Sequence, residues 1–281
     1  MKFFRSSKHP KKPEDVDHAV RRDLDTDPCS LERQASDSFS EKRFEEAFGL
    51  FRKAADIYRA TRNHKQSALC FVSAASCWSL KSEEKTFYNA AIAYEEAAKE
   101  AERSGDPEYA SLLYKYASIN YERDGEFSRF SDCSYMSKES LRIFLTYSFF
   151  SSGKIKPITI SNYEGGFSGD VKKFFHLLML TFSWAIWGHG ERPVRSFIAV
   201  VFVVLFSAVL YRTGTLVSGN EPFCPDMLDS LYFSVVTFST VGYGDIVPVG
   251  MTKAVAMLEV FSGIFLMPVF VIALTRKYLR I

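Results

Sequence analysis

Thr240-Val241-Gly242-Tyr243-Gly244-Asp245 lies within the stretch TFSTVGYGDIVP, between two apolar runs near the C-terminus. The chemistry this segment can do belongs to its backbone. Gly242 and Gly244 can take angles closed to other residues, so successive carbonyls can face one way. Val241 and Tyr243 can then turn away and pack as a cuff. Four such strands around an axis would build stacked rings of carbonyl oxygens, which can replace the water around a dehydrated cation. A second group with chemical potential is Glu259, the one charge in the apolar run Ala254–Thr275. It reads either as a modulatory group sensitive to pH or cations, or as a carboxyl hydrogen-bonded to Ser262 or to a hydroxyl such as Ser234. No Ser-His-Asp set, phosphate loop or paired carboxylate site stands out, so an enzyme is not expected. The Gly-containing stretches SGDPEYAS and NYEGGFSGD do not follow strands and read as loops.

The elements flanking TVGYGD decide what it can be. Ser196–Tyr211 carries no charge and is framed by Arg195 and Arg212; as a helix it extends about 24 Å, and its flanks bring it near the ~30 Å of a bilayer core. Taken alone, this run also fits a buried core helix or strand of a soluble protein, Val and Phe being frequent in it. Ala254–Thr275 reaches about 33 Å as a helix. Gly263 and Pro268 lie inside it, a pair that a membrane helix tolerates better than a soluble one and that favours a bend. Basic residues cluster before the first run (Arg192, Arg195) and after the second (Arg276, Lys277, Arg280), with only Arg212 and Lys253 between. The positive-inside rule therefore places both chain ends in the cytoplasm. Between the runs, residues 226–238 read as a helix too short to cross, preceded by Pro225 and capped by Asp226, with Asp229 in its first turn. A re-entrant helix fits, its C-terminal carbonyl end pointing toward the middle of the bilayer, where it favours a cation. Non-helical backbone is tolerated at that depth only where protein buries it or where it lines a wet cavity.

In that order, outer helix 194–212, pore helix 226–238 (within which SLYFSVVTFST begins at Ser230), filter 240–245 (TVGYGD) and inner helix 252–279 with Gly263, residues 194–281 resemble a two-transmembrane potassium channel. The resemblance implies potassium sites formed by the carbonyls of Thr240, Val241, Gly242 and Tyr243 with the Thr240 hydroxyl. Gly244 and Asp245 would close the outer mouth, and Tyr232, Thr237 and Asp245 would support the filter. It implies a homotetramer in the plasma or inner membrane, with potassium as permeant ligand and no cofactor. Tyr232 and Phe233 stand where many members of the family carry Trp-Trp, and Tyr232 can still offer a hydroxyl to Asp245. Val236 stands where some members place a Glu, so a carboxyl–carboxyl clamp behind the filter is not available. These differences bear on inactivation rather than on selectivity.

Gating equipment is sparse. No run carries Arg or Lys at every third residue, so no voltage sensor of the usual kind is expected. Six residues follow Thr275, so no C-terminal ligand-binding domain is expected and control should come from the N-terminal side or from another protein. Gly263 and Pro268 mark a gating hinge. Phe174–Trp187 is apolar and aromatic but short for a span. It reads as an interfacial helix or, alternatively, as a third span, with 188–193 as the turn into the membrane.

The N-terminal half repeats a pattern. RKAADIY (52–58), VSAASCW (72–78), YEEAAKEA (94–101) and YKYASINY (114–121) set small Ala residues beside aromatics at about 20-residue spacing, one amphipathic helix per unit. Paired alanines let helices approach closely. Arg62-Asn63-His64 and Ser104-Gly105-Asp106-Pro107 read as turns. The order of alanines and aromatics resembles the tetratricopeptide-like helices of the soluble NSF attachment proteins. That resemblance implies a right-handed stack of antiparallel helices that binds a peptide or protein, or a stack that only assists assembly.

The predicted fold class is thus all-α: a mobile tail (1–30), a cytosolic antiparallel helical-repeat stack (31–150), a linker (151–173), an interfacial helix and turn (174–193) and a pore module (194–281). The formal charge of +2 over 281 residues and the absence of a basic motif speak against a nucleic-acid partner. The N-terminus is basic without a long apolar core, which is not a signal peptide. Cys29, Cys70, Cys77, Cys133 and Cys224 form neither a zinc spacing nor a disulfide framework, and His18 and His64 read as isolated surface residues. The functional expectation is a potassium-selective channel subunit. The alternatives are a scaffold or adaptor anchored by a silent pore module, and a less selective cation channel.

Overall fold

A computed structural model describes residues 27–81, 86–150, 167–219 and 221–278. Residues 1–26 of the segment read as a mobile tail (1–30), most of the linker (151–166 of 151–173) and His18 lie outside the described residues. The chain divides into two compact units, 1–161 and 162–281.

Among the described residues of the first unit six helices follow one another: α1 (Pro28–Ser40), α2 (Phe44–Ala60), α3 (His64–Leu80), α4 (Thr86–Arg103), α5 (Pro107–Asp124) and α6 (Phe127–Phe150). Each packs on its neighbours in sequence, the arrangement of a repeat stack. The first helix begins at Pro28, three residues ahead of the sequence boundary at 31, because the Asp27 carboxylate accepts from the amides of Cys29 and Ser30. Asn63 and Asp106 cap α3 and α5 in the same way, which turns 62–64 and 104–107 into the interhelix corners. The helices come close because their contact faces are alanine: Ala54, Ala55, Ala74, Ala75, Ala97, Ala98, Ala101, Ala110 and Ala117 are buried without residual exposure or nearly so. Phe51, Tyr58, Phe71, Tyr114 and Tyr121 fill the space between.

His64 is not an isolated surface residue. It faces Glu100, whose side chain is fully buried. Glu100 accepts from Arg59 Nε at 2.8 Å, from Arg103 at 2.6 Å, and lies 2.7 Å from His64 Nδ1. The single carboxylate ties α2, α3 and α4 together, and Glu96 adds a second contact to Arg59 at 2.7 Å. Three partners from three helices converge only after the stack has formed, so the one-dimensional pattern of the helices does not reveal them.

The second unit holds α7 (Phe167–Trp187), a 3₁₀ turn (Gly188–Gly190), α8 (Pro193–Arg212), β1 (Leu216–Ser218), β2 (Glu221–Phe223), α9 (Met227–Phe238), β3 (Ile246–Pro248) and α10 (Thr252–Tyr278). The helix placed at Phe174–Trp187 from sequence starts seven residues earlier, inside the segment assigned to the linker. The three short strands are an addition to the all-α expectation. They form a sheet in the order β2-β1-β3, with Val217 opposite Pro222 and Val247. Two helices, Pro193–Arg212 and Thr252–Thr275, are long and apolar enough to cross a membrane. Their large side chains face outward: Phe202 is 65% exposed, Leu258 70% and Phe265 70%. A core helix of a soluble protein would bury them, so the soluble reading of Ser196–Tyr211 is set aside and the unit is a membrane module. The inner seam of the module is Tyr211, Leu216 and Phe233, all buried, with the rings of Tyr211 and Phe233 edge to face at 4.7 Å.

Glu100→Ala would leave Arg59, His64 and Arg103 facing one another without their shared carboxylate. Removing the buried member of such a network costs about 3 kcal/mol. Chemical denaturation of the full chain, followed through a probe in the helical stack, is expected to show a lower midpoint for this variant, whereas an exposed Glu45→Ala control should be near neutral.

Candidate functional site: the segment Thr240–Asp245

The short helix α9 sets where the segment begins. Asp226 caps its first turn, accepting from the amide of Asp229 at 2.7 Å. At its C-terminal end the chain unwinds stepwise. The amides of Ser239, Thr240 and Val241 donate to the carbonyls of Val235, Thr237 and Val236 at 3.0–3.1 Å. Beyond that point the segment has no regular structure until β3.

Its backbone alternates. Thr240, Gly242 and Gly244 have φ of 58°, 57° and 78°, while Val241 and Tyr243 between them do not take positive values. Positive φ at every second residue is a backbone pattern that allows successive carbonyls to face one way. The glycines were read for this from sequence; Thr240 was not. A β-branched residue in the left-handed region is an outlier, and such a conformation costs about 1–2 kcal/mol, so the unwound end of α9 must hold it. The cuff Val241 and Tyr243 were expected to form is not made within one chain: they are 53% and 70% exposed.

The far end of the segment is anchored twice. The Tyr232 hydroxyl donates to Asp245 Oδ2 at 2.7 Å, as the sequence allowed, and this bond holds the Asp245 carboxyl below the usual carboxylate range. Then β3, directly after Asp245, pairs with β1. Nothing in LVS, EPF or IVP announces a sheet, since three-residue strands carry no readable alternation. Thr252 closes the corner by accepting from the Val249 amide at 2.9 Å and donating to its carbonyl at 2.7 Å. Thr237, in the last turn of α9, is buried.

Behind α9 stands Glu259, 2% exposed. Its Oε2 accepts from the Tyr211 hydroxyl at 2.7 Å, and its Oε1 meets the Ser234 hydroxyl. Ser262 is not its partner, because that hydroxyl donates to the Leu258 carbonyl at 2.8 Å on its own helix. Of the two readings of Glu259, a hydrogen-bonded carboxyl against α9 describes its surroundings. Gly263 and Pro268 lie within α10, which runs unbroken through both. Gly263 has a local reason of its own: a Cβ there would collide with the Phe238 carbonyl at the end of α9. The absent side chain lets two backbones touch.

Gly263→Ala therefore has to push α9 and α10 apart. Overpacking of this kind costs about 1–3 kcal/mol. The purified protein in detergent is expected to unfold at lower temperature with Gly263→Ala, while Pro268→Ala, which restores a helical amide donor, should not lower its melting temperature.

Comparison with known proteins follows the same division. Residues 198–280 match a family model described as "Ion channel", and residues 32–141 match one described as "Soluble NSF attachment protein, SNAP". "Two pore potassium channel a" of Oryza sativa subsp. japonica is 41% identical over 75 residues, which are 26% of this chain and 21% of that one. "Two-pore potassium channel 1" of Arabidopsis thaliana is 38% identical over 73 residues, 23% of this chain and 20% of that one. The chain thus spans about a fifth of the length of these relatives. No solved structure matches. The C-terminal unit is thus similar to ion channels, among them the potassium channels named above, and the N-terminal unit to soluble NSF attachment proteins.

Proposed function

We propose that the chain is a subunit of a potassium-selective channel that conducts passively as a homotetramer. The observation that carries this reading is the alternating backbone of Thr240, Gly242 and Gly244, set directly after a capped short helix and between two membrane helices. One chain supplies one wall of carbonyls. A cation stripped of water needs them on all sides, so closed four-fold symmetry is the arrangement in which the segment does its work. The exposure of Val241 and Tyr243 in the single chain supports it, because neighbouring copies would cover them. The carbonyls of Thr240, Val241, Gly242 and Tyr243 are the potassium ligands, with Gly244 and Asp245 at the outer mouth. The basic residues flanking the two spans in the sequence support cytoplasmic chain ends, with the channel in a plasma or inner membrane. Gly263 and Pro268 are the positions about which the inner helix would bend on opening.

The test is flux. Purified chain in liposomes with a potassium gradient is expected to pass a potassium current whose bi-ionic reversal potential discriminates against sodium. Gly244→Ala places a side chain at φ 78°, where an L-residue is strained. It is expected to abolish selectivity or current while assembly persists. Potassium-over-sodium permeability equal to wild type in this variant would remove the carbonyls from the ion pathway.

The helical stack is proposed to regulate the pore by binding a peptide or protein. A partner shifts the gate only by its difference in affinity between closed and open forms; coupling of about 1–3 kcal/mol corresponds to a 5- to 150-fold change. Deletion of residues 1–150 is expected to leave selectivity unchanged and to alter open probability. Identical gating under every condition that modulates the full chain would make the stack an assembly or scaffold module instead.

A further inference from the structure

Glu259 is a buried ionisable side chain that the conduction pathway does not use. Its surroundings repeat at a spacing of four residues. On α10, Glu259 and Gly263 lie one turn apart on one face, and on α9 so do Ser234 and Phe238. Glu259 meets the Ser234 hydroxyl, and Gly263 makes room for the Phe238 carbonyl. The two helices are therefore joined in register by one polar contact and one close-packed contact. The outer helix enters from the other side: Tyr211 donates to Glu259 Oε2 at 2.7 Å. Tyr211 and Ser234 have no residual exposure, so water does not compete for these bonds.

Building on the conduction reading, we propose that Glu259 is a positioning residue for the filter: it fixes the height of α9 against the inner and outer helices, and so the point from which the filter strand departs. Phe238 is two residues before Thr240. A shift of α9 along this seam displaces the first carbonyl of the pathway, whose left-handed backbone leaves little slack. The contact also has a defined hydrogen pattern. Ser234 Oγ lies 2.8 Å from the Val204 carbonyl as well as against Glu259. One hydroxyl hydrogen cannot serve both acceptors. With that hydrogen directed to Val204, the one between Ser234 and Glu259 comes from the carboxyl side. A glutamine amide reproduces this pattern, with its oxygen accepting from Tyr211 and its NH₂ donating to Ser234; leucine cannot.

Currents of the purified full chain in planar bilayers test this, with the potassium–sodium reversal potential and the rate of current decline at low external potassium as readouts. Wild type must pass potassium current; its failure to do so would overturn the conduction reading, a result distinct from the outcomes below. Glu259→Leu and Ser234→Ala are expected to speed the decline roughly tenfold, the scale of leaving a buried polar partner unsatisfied, and raised external potassium should slow it again by keeping the filter occupied. Glu259→Gln should stay within about twofold of wild type. Tyr211→Phe, which removes a single oxygen, is expected to speed the decline in the same sense and serves if Glu259→Leu does not assemble. A role in folding alone would lower the number of channels and leave decline and selectivity per channel untouched. Wild-type decline in Ser234→Ala and Tyr211→Phe, or a glutamine variant as impaired as the leucine one, would overturn the proposal.

Discussion

A strand of non-helical backbone can stand between two membrane helices only if something else holds its ends, and in the C-terminal unit that holder is α9. Its cap at Asp226, its stepwise unwinding after Val235 and its contact through Phe238 with Gly263 fix where the strand begins. The bond from Tyr232 to Asp245 and the pairing of β3 with β1 fix where it ends. Between these supports the chain bears a left-handed threonine, about 1–2 kcal/mol above the relaxed backbone. Such strain persists where the surrounding structure over-determines it. The polar seam at Glu259 belongs to the same system, because it sets α9 against both of its neighbours.

The two units solve different solvent problems. In the membrane unit, apolar surface is the outside, and the polar groups are turned inward onto one another: Tyr211, Ser234 and Glu259 are among the most buried residues of the chain. A lone carboxyl in such a place is costly unless its oxygens are hydrogen-bonded. In the helical stack the contact faces are alanine. Small side chains bury little area each, so close helix approach and the aromatic fillers supply the packing. The Glu100 cluster then adds a contact that only one arrangement of α2, α3 and α4 can satisfy.

Much of this architecture follows from local order in the chain. The spans are legible because a membrane helix needs a long apolar run. The start of α9 is legible in Pro225 and Asp226, and the stack in its alanine–aromatic repeats, because caps and helical faces are properties of a few neighbouring residues. The bond from Tyr232 to Asp245 was also within reach, since both belong to one short helix-and-strand unit. By contrast, the early starts of α1 and α7 were missed, because Asp27 and the segment before Phe174 carry no strong periodic signal.

What the sequence by itself determined is the identity of the elements: two membrane-length helices, a capped short helix, a glycine-alternating strand after it and a run of amphipathic repeat helices. Each depends on composition and spacing within a few turns of chain. What only the tertiary structure decided is which distant groups share a site. Glu259 finds Tyr211 rather than Ser262, although Ser262 is nearer in sequence, because its carboxyl is aimed at the seam where α8 and α9 meet it. Gly263 is required by a carbonyl on another helix. Thr240 takes a glycine-like angle because α9 and the sheet hold both ends of its strand. His64 and Glu100 meet because three helices close on one carboxylate. These pairings are separated by many residues, and their partners are selected by packing geometry, which leaves no local periodicity to read.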